Sequence, residues 1–519
     1  MTSLASKLDR ALDGVIRANP GPGGACAVLR EGEVLLSHAW GWANAERRIA
    51  WTPRTLFRIC SITKQFTCAT LLDQFPDPSV LDEAVSRRLP LLGEAAPSVL
   101  HLCHNQSGLR DYWAVAMLHG ALAETAFGDS EARRVIGGTR TLQFTPGSRY
   151  SYCNQNFRLL SDILEDRTGR PFGDLLRDSV FGPAGMADAM LAANTQALPD
   201  GAEGYEGVSD TGFRPAENRI VWTGDAGVAA SLEDMIAWER HIDATFGDAD
   251  SIYRRLSAPV SFSDGTEATY GFGLGRYPLL GRPASGHNGS LRGWRSYRAY
   301  IPSERLSVVV MFNHQSDAVA AGRALLAAAL GVQQPIPSEV SAPDCWAGAY
   351  VDPELGLSAR IESAPGGRAQ LRYGHFVEAL RLQPDGAFGD GGVQLREEGG
   401  GLRMDRASEN RSVVLLPSAG DSARDVVGGY RCEELDSHLT VFEAGGVLYG
   451  GFSGFLGQGR MEIMNPAGGD IWTLPCRRAL DHAPPGEWSL AFGRDATGKV
   501  VSVEVGCWLA RRLAYVRQE

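Results

Sequence analysis

Phe57-Arg58-Ile59-Cys60-Ser61-Ile62-Thr63-Lys64 sets a hydroxyl and an amine three residues apart at the head of an apolar run that continues to Leu72. If the run is helical, residues three apart share a face, so the two groups lie side by side. An amine beside a hydroxyl makes serine nucleophilic, provided the amine can shed its charge. Lysine is scarce: Lys7, Lys64 and Lys499 are the only three, and arginine supplies the other basic residues. Only Lys64 follows a serine at this spacing, which sets it apart from a lysine kept for solubility.

On either side of this stretch the chain mixes helix and strand. A helix near 3–18 ends at the breaker cluster Asn19-Pro20-Gly21-Pro22-Gly23-Gly24. Strands near 25–30 and 33–40, joined at Glu31-Gly32, read as a hairpin. Helical patterns recur near 155–168 and 172–182. Strands follow at 294–301 and 306–313, and a helix near 317–330. Strands at both ends of a helical middle predict one α+β domain whose sheet pairs the two ends of the region.

Beyond residue 331 the chain changes character. A proline-punctuated linker, 332–344, precedes short alternating segments separated by Gly-Gly, Asp-Gly and Pro-Asp, the pattern of small antiparallel barrels. A second breaker, Pro417-Ser418-Ala419-Gly420-Asp421-Ser422, divides this half. Gly348-Ala349-Tyr350 opens one piece and Gly428-Gly429-Tyr430 the other. The expected domains are therefore 1–331, 345–417 and 426–519, the last two related by a weak repeat.

A chain of 519 residues with a net charge of −11 does not suit nucleic acid or an anionic membrane as main partner. Nine scattered cysteines without a CxxC pair predict reduced thiols, a cytoplasmic location, and neither a disulfide framework nor a zinc site. No stretch reads as a signal peptide or a membrane span.

Two further motifs bear on Ser61. Tyr152-Cys153-Asn154 is the only Tyr-x-Asn; it follows Pro146-Gly147 and precedes a helix, on a loop able to reach a cleft. Beside a cationic lysine Tyr152 can be partly phenolate, pass protons to and from Ser61, and leave Asn154 to bind a substrate amide. His287-Asn288-Gly289, the only His-x-Gly, lies beside Ser290 just before the 294–301 strand. A glycine there lets another backbone approach closely, and a substrate can add itself along that edge.

Ser-x-x-Lys, Tyr-x-Asn and His-x-Gly in this order resemble the penicillin-recognising serine hydrolases, which include class C β-lactamases, DD-peptidases and related esterases. His104-Asn105-Gln106-Ser107-Gly108-Leu109, Pro183-Ala184-Gly185-Met186 and Tyr270-Gly271-Phe272-Gly273-Leu274-Gly275 fit the same family. The resemblance covers about 1–331 and implies a β-lactamase-like fold there. Within the family it is nearest the bacterial serine-type D-aminopeptidases, which carry two β-barrel domains after the catalytic one.

The resemblance implies a hydrolase that needs no cofactor or metal and releases a small N-terminal D-residue, D-Ala-like, from peptides, amides and esters. It implies Ser61 as nucleophile, with Lys64 and Tyr152 sharing its proton. Asn154, His287 and Gly289 would line the site, and the N–H groups of Ser61 and Ser290 would form the oxyanion hole. It also implies a homodimer, β-lactams as inhibitors, and a loop of the last domain entering the site. The loop 476–486 lies between strands near 471–474 and 488–492, and Asp481 is its only acid, suited to a substrate ammonium. The alternatives on this scaffold are an esterase, a β-lactamase or DD-peptidase, and, from another class, a sensor without turnover.

Overall fold

The computed structural model describes residues 3–332, 346–364, 368–374, 376–382, 387–390, 392–418, 420–482 and 485–519. The linker expected at 332–344 falls, from residue 333 on, outside the described residues, as does Cys345.

Helix α1 (Leu4–Ala18) is capped by the Ser3 hydroxyl, which accepts from Ser6 N. It buries the stripe Leu8, Leu12 and Val15, the spacing of one helical face. Strands β1 (Gly23–Arg30) and β2 (Glu33–Asn44) form the expected hairpin, turning through Glu31 and Gly32, both at positive φ. A short 3-10 turn, Cys60–Ile62, leads into helix α2 (Thr63–Gln74). Helix α3 (Asn154–Thr168) starts two residues after Tyr152, behind the N-cap Cys153, and stops at Gly169, whose φ of 68° suits a residue without Cβ. Strands β3 (Leu274–Leu279), β4 (Arg282–Leu291), β5 (Trp294–Ile301) and β6 (Leu306–Phe312) follow, then helix α4 (Ala318–Leu330).

These strands make one eight-stranded antiparallel sheet, ordered Tyr270–Gly271, β3, β4, β5, β6, β1, β2 and Ile49–Ala50. β1 pairs with β6 from Gly24↔Phe312 to Arg30↔Leu306, so the sheet joins the two ends of the domain as the sequence predicts. α1 and α4 cover one face, packing on Val28, Val308 and Val310. The other face meets the helical layer, in which α2 is buried on every side from Thr63 to Leu72.

One strand is missing from the sequence reading, and one helix needs correction. His287, read only as just before the 294–301 strand, lies inside β4, whose sequence Arg-Pro-Ala-Ser-Gly-His-Asn-Gly-Ser-Leu has little strand propensity of its own. Its neighbours β3 and β5 impose the extended form. The helix expected at 172–182 is interrupted, with a π turn at Arg177–Phe181 between Phe172–Leu176 and Gly182–Ala184.

The strands from Gly348–Asp352 to Arg411–Pro417 form a closed barrel filled by one apolar cluster that includes Leu357, Leu371, Leu395 and Leu415. Those from Gly428–Cys432 to Leu513–Arg517 form a curled ten-stranded antiparallel sheet. Its core extends into the first domain, taking in Ala114 and Leu118 of the helix Tyr112–Leu118. The two β units share one opening device: Tyr350 and Tyr430 each donate their hydroxyl to the carbonyl four residues back, Trp346 O at 2.9 Å and Val426 O at 2.6 Å.

Candidate active site

The first domain holds Ser61 at a junction of forced geometry. Cys60 sits at φ 53°, a left-handed conformation uncommon for a residue with Cβ. Arg58 anchors the approach by donating to three carbonyls, Ala192 O, Asn194 O and Ala197 O. A Cβ at Gly289 would lie 2.3 Å from Ile59 O and 3.0 Å from the Cys60 Cβ, so β4 presses against the serine segment where the sequence has no side chain. The backbone that approaches this glycine is the protein's own serine segment, whereas the sequence reading foresaw a substrate strand there.

Lys64, on the first turn of α2, is fully buried and its Nζ has three partners: Ser61 Oγ at 3.0 Å, Asn154 Oδ1 at 2.8 Å and Asp225 O at 2.7 Å. Asn154 Oδ1 and Asp225 O can only accept, so both take amine protons. The third position can run either way: an ammonium donates to Ser61, whereas a neutral amine accepts the Ser61 proton on its lone pair. Burial draws the Lys64 amine down to about 8, against the nearby carboxylates of Asp225, Asp111 and Asp481. A neutral form is therefore within reach near physiological pH.

Tyr152 donates its hydroxyl to Ser61 Oγ at 2.7 Å, and the Lys64 ammonium stands 4.9 Å from its ring centre. Burial holds the phenol well above its usual range, and Ser61 as hydrogen-bond partner offsets this only in part. The phenolate contemplated from the sequence is thus disfavoured, and Tyr152 stands as a neutral phenol bonded to Ser61.

His104–Leu109 builds the support for this loop. Asn105 Oδ1 accepts from Cys153 N and Asn156 Nδ2, and Ser107 Oγ donates to Asn156 Oδ1. Two acids escaped the sequence reading. Asp111 accepts from Asn154 N at 2.7 Å and Asn154 Nδ2 at 2.9 Å, and so fixes the amide that holds Lys64. Burial raises the Asp111 carboxyl to about 6, and the bonds from Asn154 and Trp113 limit the rise. Asp225 presents its carbonyl to Lys64 and its carboxylate to the Tyr112 hydroxyl at 2.6 Å. Asp111 lies two residues past the family-like stretch and belongs to no motif; no sequence signal singles out Asp225.

His287 donates Nδ1–H to the carbonyl of Asn288, which leaves Nε2 to accept from the Tyr270 hydroxyl at 3.1 Å. Burial and the Lys64 charge push it down to about 3, so the ring is neutral. Both amide atoms of Asn154 are engaged by Lys64 and Asp111, so its first task is inside the protein rather than on a ligand.

Ser61, Tyr152, Asn154, His287, Ser290 and Asp481 line one cavity of about 450 Å³. Asp481 comes from the last domain: its carbonyl accepts from Arg292 N at 2.7 Å, and Arg478 of the same loop pairs with Glu124 and Glu206. Residues 483–484 of that loop lie outside the described residues. The Asp481 carboxylate accepts from His482 N at 2.7 Å and forms no ion pair among the described residues. Burial, followed by the Asp111 charge, raises it to about 7. A larger cavity of about 650 Å³, walled by Arg214, Arg292, Arg477 and Arg478, contains none of the serine, lysine and tyrosine just described.

An antiparallel sheet between helical layers, with Ser-x-x-Lys at the head of a buried helix and a tyrosine on its hydroxyl, defines the β-lactamase class of proteins. A family model for β-lactamase matches residues 12–333, and one for D-aminopeptidase, domain B, matches residues 339–516. The curated D-aminopeptidase of Gluconobacter oxydans (strain 621H) is 57% identical over 523 residues, covering 99% of each chain. That of Brucella ovis is 45% identical over 497 residues, covering 96% of each. The chain belongs to the D-aminopeptidase family.

Among solved structures, the D-amino acid amidase from Ochrobactrum anthropi SV3, complexed with D-phenylalanine, aligns at a TM-score of 0.52 and 22% identity, over 64% of this chain and 99% of that one. The octameric penicillin-binding protein homologue from Pyrococcus abyssi aligns at 0.53 and 20% identity, over 79% and 99%. At these identities the likeness is one of fold.

Proposed function

We propose that the protein releases an N-terminal D-amino acid, small and D-Ala-like, from peptides, amides and esters through an acyl-enzyme on Ser61. Neutral Lys64 takes the Ser61 proton, directly or through the Tyr152 hydroxyl, as Oγ bonds to the carbonyl carbon. The oxyanion is held by the N–H groups of Ser61 and Ser290. The proton passes by the same route to the departing nitrogen or oxygen as that bond breaks. Water then adds to the acyl carbon, gives its proton to Lys64, and Ser61 leaves with that proton restored.

The observation that carries the aminopeptidase reading is Asp481, an acid in the serine's own cavity that forms no ion pair among the described residues. An ammonium arriving beside Asp481 favours its charged form and forms a charge-assisted bond with it. No Lys-x-Gly stands where a cation would meet a β-lactam or C-terminal carboxylate; that position is His287-Asn288-Gly289, and the histidine is neutral. Chirality is read by the side on which the substrate's side chain leaves the Ser290 strand.

The same reading includes slow acylation by β-lactams and a homodimer, both carried by the family resemblance. It also includes a cytoplasmic location, supported by eight described cysteines that are all free.

Rates on D-Ala-p-nitroanilide, its N-acetyl form and a cephalosporin test this. The free amine is expected to be cut fastest by far. Equal rates on the acetylated substrate would overturn the aminopeptidase reading, and preference for the cephalosporin would favour a β-lactamase.

A further inference from the structure

A second cavity, also about 450 Å³, opens beside the first, between the first domain and the closed barrel. The two share the walls Tyr150, Tyr270, Gly275, Tyr277, Pro278 and Trp508. On the barrel side the second is closed by Tyr373, Glu378, Arg406, Ser408 and Glu409.

Three landmarks along β4 give this juxtaposition a direction. At its far end Arg292 N holds Asp481 O. Next, Gly289 abuts Ile59 and Cys60, the segment that carries Ser61. Last, Gly286 is the final residue paired with β3, opposite Gly275. From His287 to Leu291 the side of β4 turned towards β3 has no β3 partner. A substrate with its ammonium at Asp481 and its scissile carbonyl at Ser61 therefore points its leaving group towards Gly286. That free edge is five residues long, and β3 closes it, so a longer leaving group has to leave the strand direction there. Gly275 and Tyr277, where it is deflected, are walls of the second cavity.

The geometry points to a leaving-group subsite in this interdomain cavity, which receives the peptide chain beyond the first released residue. Its chemistry is mainly aromatic. Tyr150 and Tyr270 pack with ring centres 5.5 Å apart, and Arg406 is spent on Glu378 and Glu409. Arg276 gives its two terminal nitrogens to the carbonyls of Ala258 and Ala268, and its Nε has no partner among the described residues. The subsite accordingly takes neutral peptide with apolar or aromatic side chains, and makes the barrel part of substrate selection.

The inference rests on the proposed activity, and one experiment separates the two. Ala407→Trp and Ser408→Trp place bulk on the short turn Ala407–Glu409, at the barrel rim of the second cavity, and neither residue is a wall of the first. Each is assayed on D-alaninamide and on a D-alanyl tetrapeptide with phenylalanine at its third position. Wild type is expected to cut both. The variants should keep D-alaninamide kcat/KM within twofold and lose at least fivefold on the tetrapeptide, mainly through KM. Variants that treat both substrates alike would overturn the subsite and leave the activity standing. A wild type inert on both would remove the activity, and the subsite with it.

Discussion

At the scale of single residues the account turns on the charge of Lys64. Its ammonium form has no lone pair for the Ser61 proton, so activity is lost as the pH falls. With the amine near 8, kcat/KM on D-Ala-p-nitroanilide should fall about tenfold per pH unit well below that value. A profile flat from pH 8 to pH 6 would remove Lys64 as base. On the proposed function, Asp481 acts on binding rather than on chemistry. Asp481→Ala should raise KM for free-amine substrates roughly tenfold to a hundredfold, as for loss of one partner of a buried charge pair. A substrate without the amine should be little affected; an equal effect on both would mean that Asp481 only supports its loop. That Ser61 and Lys64 lie together is legible in the sequence because the proposed chemistry ties residue type to short spacing, and Tyr152 joins them through its own motif. Asp111 and Asp225 are not legible, because their places in the site come from tertiary contacts that no local pattern encodes.

At the scale of elements, β4 is the decisive piece and the hardest to read. Leu306–Phe312 declares itself through the apolar run Val308–Phe312, and every residue of the strand is buried. β4 lacks that signal because its glycines and polar residues serve the site: Gly289 for contact with the serine segment, His287 for the Tyr270 bond, Ser290 for the cavity wall. Gly289→Ala tests the contact directly. Its Cβ would meet Ile59 O and Ser296 Oγ, each at 2.3 Å, and the serine segment has to shift. The folded protein should lose about a hundredfold in kcat, the scale of a 1 Å displacement in a catalytic centre. A normal kcat would show that the close approach does not position Ser61. The repeated Gly-x-Tyr openings, weak as sequence, gain meaning from the hydroxyl bond each tyrosine makes four residues back.

At the scale of the whole molecule, one buried acid ties the three parts together. Glu409 of the barrel pairs with Arg406 in its own unit at 2.6 Å. It also binds Arg511 and Trp508 of the last domain, each at 3.0 Å, and its carbonyl accepts from Tyr150 N at 3.3 Å. Burial alone would raise this carboxyl, but Arg406 and Arg511 outweigh it and hold it at about 2. Glu409→Ala leaves two buried guanidinium groups short of a partner and should cost about 3–5 kcal/mol of stability, read as a lower Tm. It should also loosen Trp508, a wall of the Ser61 cavity, and so raise KM. An unchanged Tm would show that the three parts are held elsewhere. The sequence marks the breaks between these parts through proline and glycine, yet beyond the 476–486 loop it carries no sign of how they dock, because docking depends on residues hundreds of positions apart.

The proximity of an uncharged amine to the Ser61 hydroxyl underlies all of this, and trapping the acyl group tests it most directly. Wild type and Lys64→Arg are mixed with a slowly hydrolysed D-alanyl ester, quenched at intervals, and mapped by peptide mass spectrometry. The expected result is a D-alanyl adduct on Ser61 in wild type, with formation slowed about 10²–10⁴-fold in the variant, since arginine keeps its proton and cannot serve as base. An adduct on another residue, or equal acylation rates in the two proteins, would contradict the account.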